Sequence, residues 1–251
     1  MMLATSPLPP VSLSSIGANP RLSNEHILQH LRRRICTLQL APGLRLSEVK
    51  LAQDYYVSRT PIRWVLNRLE MEGLVNTRHG AGSYVTDVNW QKLRSIYHLR
   101  IDLYDTVIRL NHYSIIDNDV AWLQRFQSRV ESSQWTNQSL SEAIMDLFEF
   151  SSTLIDDPHL TQFSNQLYFN TTRFWWLLHS SKDALHIEQQ SLETELTQLI
   201  KALNLGQIDV YFAIRKSYLM ANYRKLKQLY QDNWGFDKSA DPTNLMEMLD
   251  E

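Results

Sequence analysis

Tyr56-Val57-Ser58-Arg59-Thr60-Pro61-Ile62-Arg63 is the stretch on which the reading of the chain turns. Ser58 is a good helix N-cap residue, and Pro61 falls in the first turn, where a missing backbone N–H costs nothing. A helix is therefore predicted to begin here. Arg59, Thr60 and Arg63 crowd its start, although the helix dipole favours negative charge at an N-terminus. An external anion would resolve that conflict. A phosphate backbone is the natural one, because helix-turn-helix proteins present the N-terminal residues of a recognition helix to DNA.

The neighbouring sequence supplies the rest of such a head. Ile27, Leu28, Leu31, Ile35 and Leu38 recur at helical spacing, and Pro42-Gly43 is expected to stop that first helix. Ser47 caps a short second helix ending near Tyr55-Tyr56. The third runs from about Arg59 to Met71, with Ile62, Val65, Leu66 and Leu69 on its inner side, and Gly73 suits its C-cap. Leu74 to Arg78 and Ser83 to Thr86 read as two strands, joined by His79-Gly80-Ala81-Gly82, which offers the positive-φ positions of a hairpin turn. Three helices and a hairpin make a winged helix-turn-helix.

From Trp90 onward only helix-period patterns occur, at roughly 89–113, 116–134, 138–156, 159–181, 183–204 and 207–230, a six-helix bundle the size of a separate domain. The expected organisation is a disordered tail over 1–20, rich in Ser and Pro, and a winged helix-turn-helix DNA-binding domain over 21–88. An all-α effector-binding and dimerisation domain follows over 89–235, with a C-terminal tail over 236–251. The fold class is mainly α.

Charge divides along the same line. Arg21 to Trp90 carries ten Lys+Arg against six Asp+Glu, a net of +4, leaving fifteen against twenty-one, or −6, for Gln91 to Glu251. Such asymmetry is the footprint of a nucleic-acid head on a differently tasked body. The single Cys36 excludes an intrachain disulfide framework and fits a reducing compartment, hence a cytoplasmic protein. No run of eighteen apolar residues occurs, and the N-terminal segment lacks the pattern of a signal peptide, so no membrane partner is expected. Neither a Gly-rich nucleotide loop nor an HExxH motif is present.

The string from Pro42 to Val85, PGLRLSEVKLAQDYYVSRTPIRWVLNRLEMEGLVNTRHGAGSYV, resembles the DNA-binding domain of GntR-family transcriptional regulators. That pattern has Pro-Gly before L-x-E, then Leu-Ala, Val-Ser-Arg-Thr-Pro-x-Arg, and Glu-Gly-Leu-Val before a glycine-bearing wing. One departure is Trp64, where the family usually has an acidic residue. The resemblance implies that Arg59 and Arg63 contact bases or flanking phosphates, that Ser58 and Thr60 bind phosphate, and that His79 and Gly80 bring the wing tip to the minor groove. Arg45 is a further candidate for the backbone.

The body resembles the FCD ligand-binding domain of the FadR subfamily. Ser95-Ile96-Tyr97-His98-Leu99-Arg100 with Leu103 is similar to its opening motif, with Tyr104 in place of the usual Glu. Asp157-Pro158-His159-Leu160 is similar to its N-P-x-L turn, and Ala202-Leu203 with Gly206 to its A-I-x-x-G-D segment. Many FCD domains hold a divalent metal with an Asp and a His at i, i+4 and two further His. Here those positions read Asp146, Phe150, Leu196 and Tyr218. One oxygen ligand without an imidazole does not make a transition-metal site, so neither metal nor cofactor is expected.

The candidate effector-binding residues are Phe150, Leu196, Tyr218, Tyr104, Trp175 and Trp176 as apolar walls, with Arg100, Asp146, Arg173 and Asn222 as polar anchors. Arg100 is assigned to a ligand carboxylate, which its fork matches with two hydrogen bonds. The chain is thus expected to be a non-enzymatic regulator, a repressor, that binds a pseudo-palindromic DNA operator as a homodimer and senses a small carboxylate-bearing or apolar metabolite. Two alternatives stand beside it: a dimeric DNA-binding protein whose pocket is filled, and an all-α enzyme fused to a DNA-binding head.

Overall fold

The computed structural model of the chain describes residues 23–78, 82–178 and 182–234. Chain contacts divide it into two compact units, the first closing at Thr86 and the second taking in everything from Asp87 together with the short stretch Cys36–Gln39.

In the first unit, α1 (Asn24–Cys36), α2 (Glu48–Asp54) and α3 (Arg59–Met71) are joined by a three-stranded sheet of β1 (Arg45–Leu46), β2 (Val75–Arg78) and β3 (Gly82–Val85). The apolar stripe of α1 is buried as its spacing predicts, with Leu31 and Ile35 wholly shielded. The helix nevertheless ends at Cys36, well short of Pro42, because Leu38 takes a left-handed φ of 60° that no α-helix continues through. Ser47 caps α2 by accepting a hydrogen bond from the backbone N–H of Lys50 at 3.3 Å. Gly73 follows the end of α3 with φ 77°, the left-handed turn expected of it.

Arg32 of α1 clamps the far end of α3 through a two-pronged bridge to Glu72, at 2.8 and 2.7 Å. The sheet order is β1-β3-β2, antiparallel throughout. The edge strand β1 is the element that hydrophobic alternation did not announce, since two residues are too few for a period. Register places Arg45 opposite Tyr84 and Asn76 opposite the same Tyr84, while Arg78 lies opposite Gly82. Side chains alternate across a sheet, so Arg45, Asn76, Arg78 and Tyr84 share one face and Leu46, Val75, Ser83 and Val85 do not follow it.

The second unit consists, among the described residues, of α4 (Trp90–Leu110), α5 (Asp117–Ser132), α6 (Asn137–Thr153), α7 (Pro158–Leu178), α8 (Lys182–Asn204) and α9 (Ile208–Trp234). The starts of three of them are written in the sequence. Asn89 caps α4, Thr136 and Ser139 form a reciprocal box at α6, and Asp157 accepts from the N–H groups of His159 and Leu160 at the head of α7. Gly206, with φ 69°, turns the chain from α8 into α9. Helix α4 packs against α7 and α9, α5 against α8, and α6 against α7 and α8.

One apolar core runs through the bundle, with Leu123, Leu140, Leu147, Leu154, Leu196, Leu199, Tyr211 and Leu226 almost fully buried. Asn111, just past α4, donates to the carbonyl of Leu154 at 2.8 Å and accepts from the N–H of Asp156 at 3.0 Å, fixing the turn before α7. No helix of the described residues is long and apolar enough to cross a membrane. The proposed tails over 1–20 and 236–251 lie outside the described residues.

Candidate nucleic-acid interface and ligand pocket

Helix α3 turns Ile62, Val65, Leu66 and Leu69 inward, and at about 100° per residue the opposite ridge is Thr60, Trp64, Asn67 and Met71. Arg59 and Arg63 occupy one shoulder of that ridge, both exposed. Ser58 takes the extended backbone of an N-cap, but its hydroxyl makes no capping hydrogen bond. Its side chain is therefore exposed at the helix start beside Thr60, with its hydroxyl uncommitted to the helix. That differs from the expected cap, and it leaves the first-turn N–H groups and the hydroxyl together as donors for an anion.

The conflict between the arginines and the helix dipole has an internal partner that sequence reasoning missed. Glu48, in the first turn of α2, accepts from Arg59 Nη2 at 3.1 Å and from Arg63 Nε at 2.9 Å on the same carboxylate oxygen. The shallow burial of Glu48 works against ionisation, but the two guanidinium groups outweigh it and hold its carboxyl below the usual carboxylate range. Each arginine keeps more than half of its side chain in solvent and has further N–H donors left. Glu48 thus preorients two forks without consuming them. Glu48→Ala is expected to leave thermal stability nearly unchanged, since exposed ion pairs contribute little. It should raise affinity for arbitrary duplex DNA and lower the preference for a chosen site; competition binding with unrelated duplex reads that ratio.

The wing adds a second basic surface. The Arg45 side chain lies over the backbone of Gly82, with Nε 3.4 Å from where a Cβ would sit, and Arg78 stacks its guanidinium 5.0 Å from the centre of the Tyr84 ring. Arg78 went unnoticed in the sequence, although its two-residue step from Asn76 places it on the Arg45 face. His79 and Gly80 lie outside the described residues.

In the helical unit a cavity of about 90 Å³ opens between α4, α6, α7, α8 and α9. Arg100, Tyr104, Tyr218 and Asn222 line it, as do Tyr97, Tyr168, Glu188, Ser191, Glu195 and Arg215, which the sequence reading did not select. Of the six remaining candidates, four fall elsewhere among the described residues. On α6 the cavity is met by Ile144 and Leu147, and Asp146, two residues on from Ile144, is turned about 200° away. Asp146 instead accepts from Arg129 at 2.6 Å. Phe150 stacks on Trp122 with ring centres 4.1 Å apart, while Leu196 belongs to the apolar core and Arg173 is buried away from the cavity lining. The side chains of Trp175 and Trp176 lie outside those described.

Of the four positions matched to a metal set, Tyr218 lines the cavity and Asp146, Phe150 and Leu196 do not, and no group of three or more His, Cys, Asp or Glu side chains suited to a metal occurs among the described residues.

Charges in the cavity wall are paired with one exception. Arg215 donates to Glu195 at 2.6 Å, both nearly buried. Burial pushes the Glu195 carboxyl up while Arg215 pulls it back; burial likewise opposes the charge on Arg215, but Glu195 overrides it and raises that guanidinium further. Glu188 is paired with Lys225 at 3.0 Å. Arg100 has no carboxylate partner among the described residues. It donates from Nη1 to Thr171 Oγ1 at 2.7 Å and lies against the rings of Tyr97 and Tyr168, 5.7 and 5.2 Å from their centres. Tyr97 is pushed up to about 12 by burial, offset in part by Arg100, and Tyr168 is raised for the same first reason, so both stay protonated donors at neutral pH. Arg215 Nε and Tyr168 Oη are buried without a well-formed hydrogen bond.

Comparison with known proteins bears on the two units unequally. Residues 23–85 match the family described as bacterial regulatory proteins, gntR family. The Nta operon transcriptional regulator of Aminobacter aminovorans is 38% identical over 85 residues, 34% of this chain and 40% of that protein. The transcriptional repressor RspR of Escherichia coli is 36% identical over 72 residues, 29% and 32% of the two chains. The chain thus spans well under two thirds of these relatives. The E. coli McbR/YncC structure superposes with a TM-score of 0.68 at 20% identity, over 83% of this chain and 99% of that one. A GntR protein of Rhodococcus sp. RHA1 follows with 0.63 at 16% identity, over 82% and 97%. The fold is therefore a GntR-like winged helix-turn-helix followed by a helical C-terminal region.

Proposed function

We propose that this chain is a sequence-specific DNA-binding transcriptional regulator of the GntR family, with a body of the FadR-subfamily FCD kind that senses a small anion without a resident metal. The observation that carries the reading is the exposed, cationic start of α3, with Arg59 and Arg63 held ready by Glu48, beside a wing whose outer face is also basic. Arg, Ser and Thr at a helix start are donors to phosphates, and Arg is the commonest bidentate reader of guanine. Arg45, Ser58, Arg59, Thr60 and Arg63 are the proposed contacts, joined by Arg78, with His79 and Gly80 at the wing tip. The match of residues 23–85 to a family of regulators supports the same assignment. A cytoplasmic homodimer reading a pseudo-palindrome as a repressor completes the proposal, since a two-fold protein reads two-fold DNA. No catalytic role is assigned to it.

For the effector, the charge balance of the cavity is the guide. With Glu195 and Glu188 each matched by a cation, Arg100 supplies one positive charge for the ligand to meet, so the ligand is a monoanion such as a carboxylate. Its second oxygen would find Tyr168 Oη or Arg215 Nε, and the rings of Tyr97, Tyr104 and Tyr218 would cover its body. A true ligand stabilises the fold by mass action, about 2.7 kcal/mol at a hundredfold excess over Kd. A panel of small monocarboxylates should therefore contain members that raise the melting temperature of the full chain, and Arg100→Ala should abolish that rise. If every shift survives the substitution, Arg100 is not the anion site; if none occurs with either protein, the pocket is a filled relic.

A further inference from the structure

Trp64 is the residue on which the DNA-reading face departs most from what a solvated helix would carry. It lies on the ridge of α3 opposite the buried stripe, between Thr60 and Asn67, with 41% of its surface exposed. Among the described residues no ring stacks on it and no acceptor takes its indole N–H. Arg59 and Arg63 stand on one shoulder of the ridge and Arg68 on the other, all exposed. A cationic frame repels a basic partner and draws a polyanion, yet an apolar ring at its centre gains nothing from phosphate. In the floor of a major groove the apolar feature is the C5 methyl of thymine. From this juxtaposition we infer that Trp64 is a specificity-determining residue that reads a thymine methyl in each half-site, next to the bases met by Arg59 and Arg63. The inference rests on the DNA-binding reading of the head.

The test uses the full chain and duplexes enriched by it from a random-sequence library, with each thymine of the enriched site replaced in turn by deoxyuridine, which lacks the methyl. Burying one methyl-sized group is worth roughly a fourfold change in affinity. The expected result is one thymine position per half-site at which deoxyuridine weakens wild-type binding about fourfold, and no such difference for Trp64→Ala. Trp64→Phe, which keeps an apolar ring, should retain the discrimination, and thermal melts establish that both variants are folded. Wild-type binding indifferent to every deoxyuridine, or a Trp64→Ala protein with undiminished discrimination, overturns the inference while leaving DNA binding intact. Failure to enrich any duplex instead overturns the DNA-binding reading on which the inference stands.

Discussion

Glu195→Ala is expected to lower the stability of the helical unit by about 3–5 kcal/mol, the usual consequence of leaving one member of a buried ion pair without its partner. Glu195 and Arg215 are each nearly shielded from water, at 8% and 10% side-chain exposure, so solvent screens little of the charge that would remain. Arg215 cannot escape by losing its proton, because guanidinium remains protonated in proteins. The loss should appear as a lower midpoint in denaturant unfolding at an unchanged slope. Replacing both partners by apolar residues, as in Glu195→Leu with Arg215→Met, should recover most of it, because the desolvation penalty leaves with the charges. A single variant no worse than the double would mean that the pair is hydrated and that the cavity is wetter than its walls imply.

The second large effect belongs to the head. Arg59→Ala combined with Arg63→Ala should weaken binding to a preferred duplex roughly a hundredfold or more, each guanidinium contributing about 1–3 kcal/mol if it reads a base. Salt dependence separates the two ways this can happen. Loss of phosphate contacts flattens the slope of log K against log salt by about 0.9 per contact, whereas loss of base contacts erodes sequence preference more than slope. Arg68→Ala is the internal control. It removes the same charge from the same helix on the other shoulder and in the last turn, so it should cost much less. Equal losses from all three arginines would mean diffuse attraction rather than a docked recognition helix.

The sequence displayed the helical skeleton plainly because its stops are chemical. Asn89, Thr136, Asp157 and Gly206 each perform the capping or turning role their residue type favours. Where one residue's backbone overrode the pattern, as Leu38 does at the end of α1, periodicity ran past the true boundary. Legibility of the sites differed for a similar reason. Arg59 and Arg63 were visible as an anomaly in a single turn, but their partner Glu48 comes from another helix and no local rule points to it.

In the body, Arg100, Tyr104, Tyr218 and Asn222 line the cavity because α4 and α9 each turn one stripe toward it. Tyr97-Arg100-Tyr104 and Arg215-Tyr218-Leu219-Asn222 show that stripe as i, i+3, i+4 spacing. The stripe Glu188-Ser191-Leu192-Glu195 on α8 has the same spacing and could have been found by it. Asp146 and Phe150 match a metal motif on α6 by likeness alone, and a step of two residues, as from Ile144 to Asp146, moves a side chain to the far side of the helix.

Sequence-specific reading of DNA by the head is tested most directly by enrichment of duplexes from a random library by the full chain, followed by binding of the enriched duplex across a salt series. The account predicts convergence on an inverted repeat whose affinity exceeds that of unrelated duplex by about a thousandfold or more and falls steeply as salt rises. A library that does not converge, or a duplex bound no more tightly than an unrelated one, would contradict it.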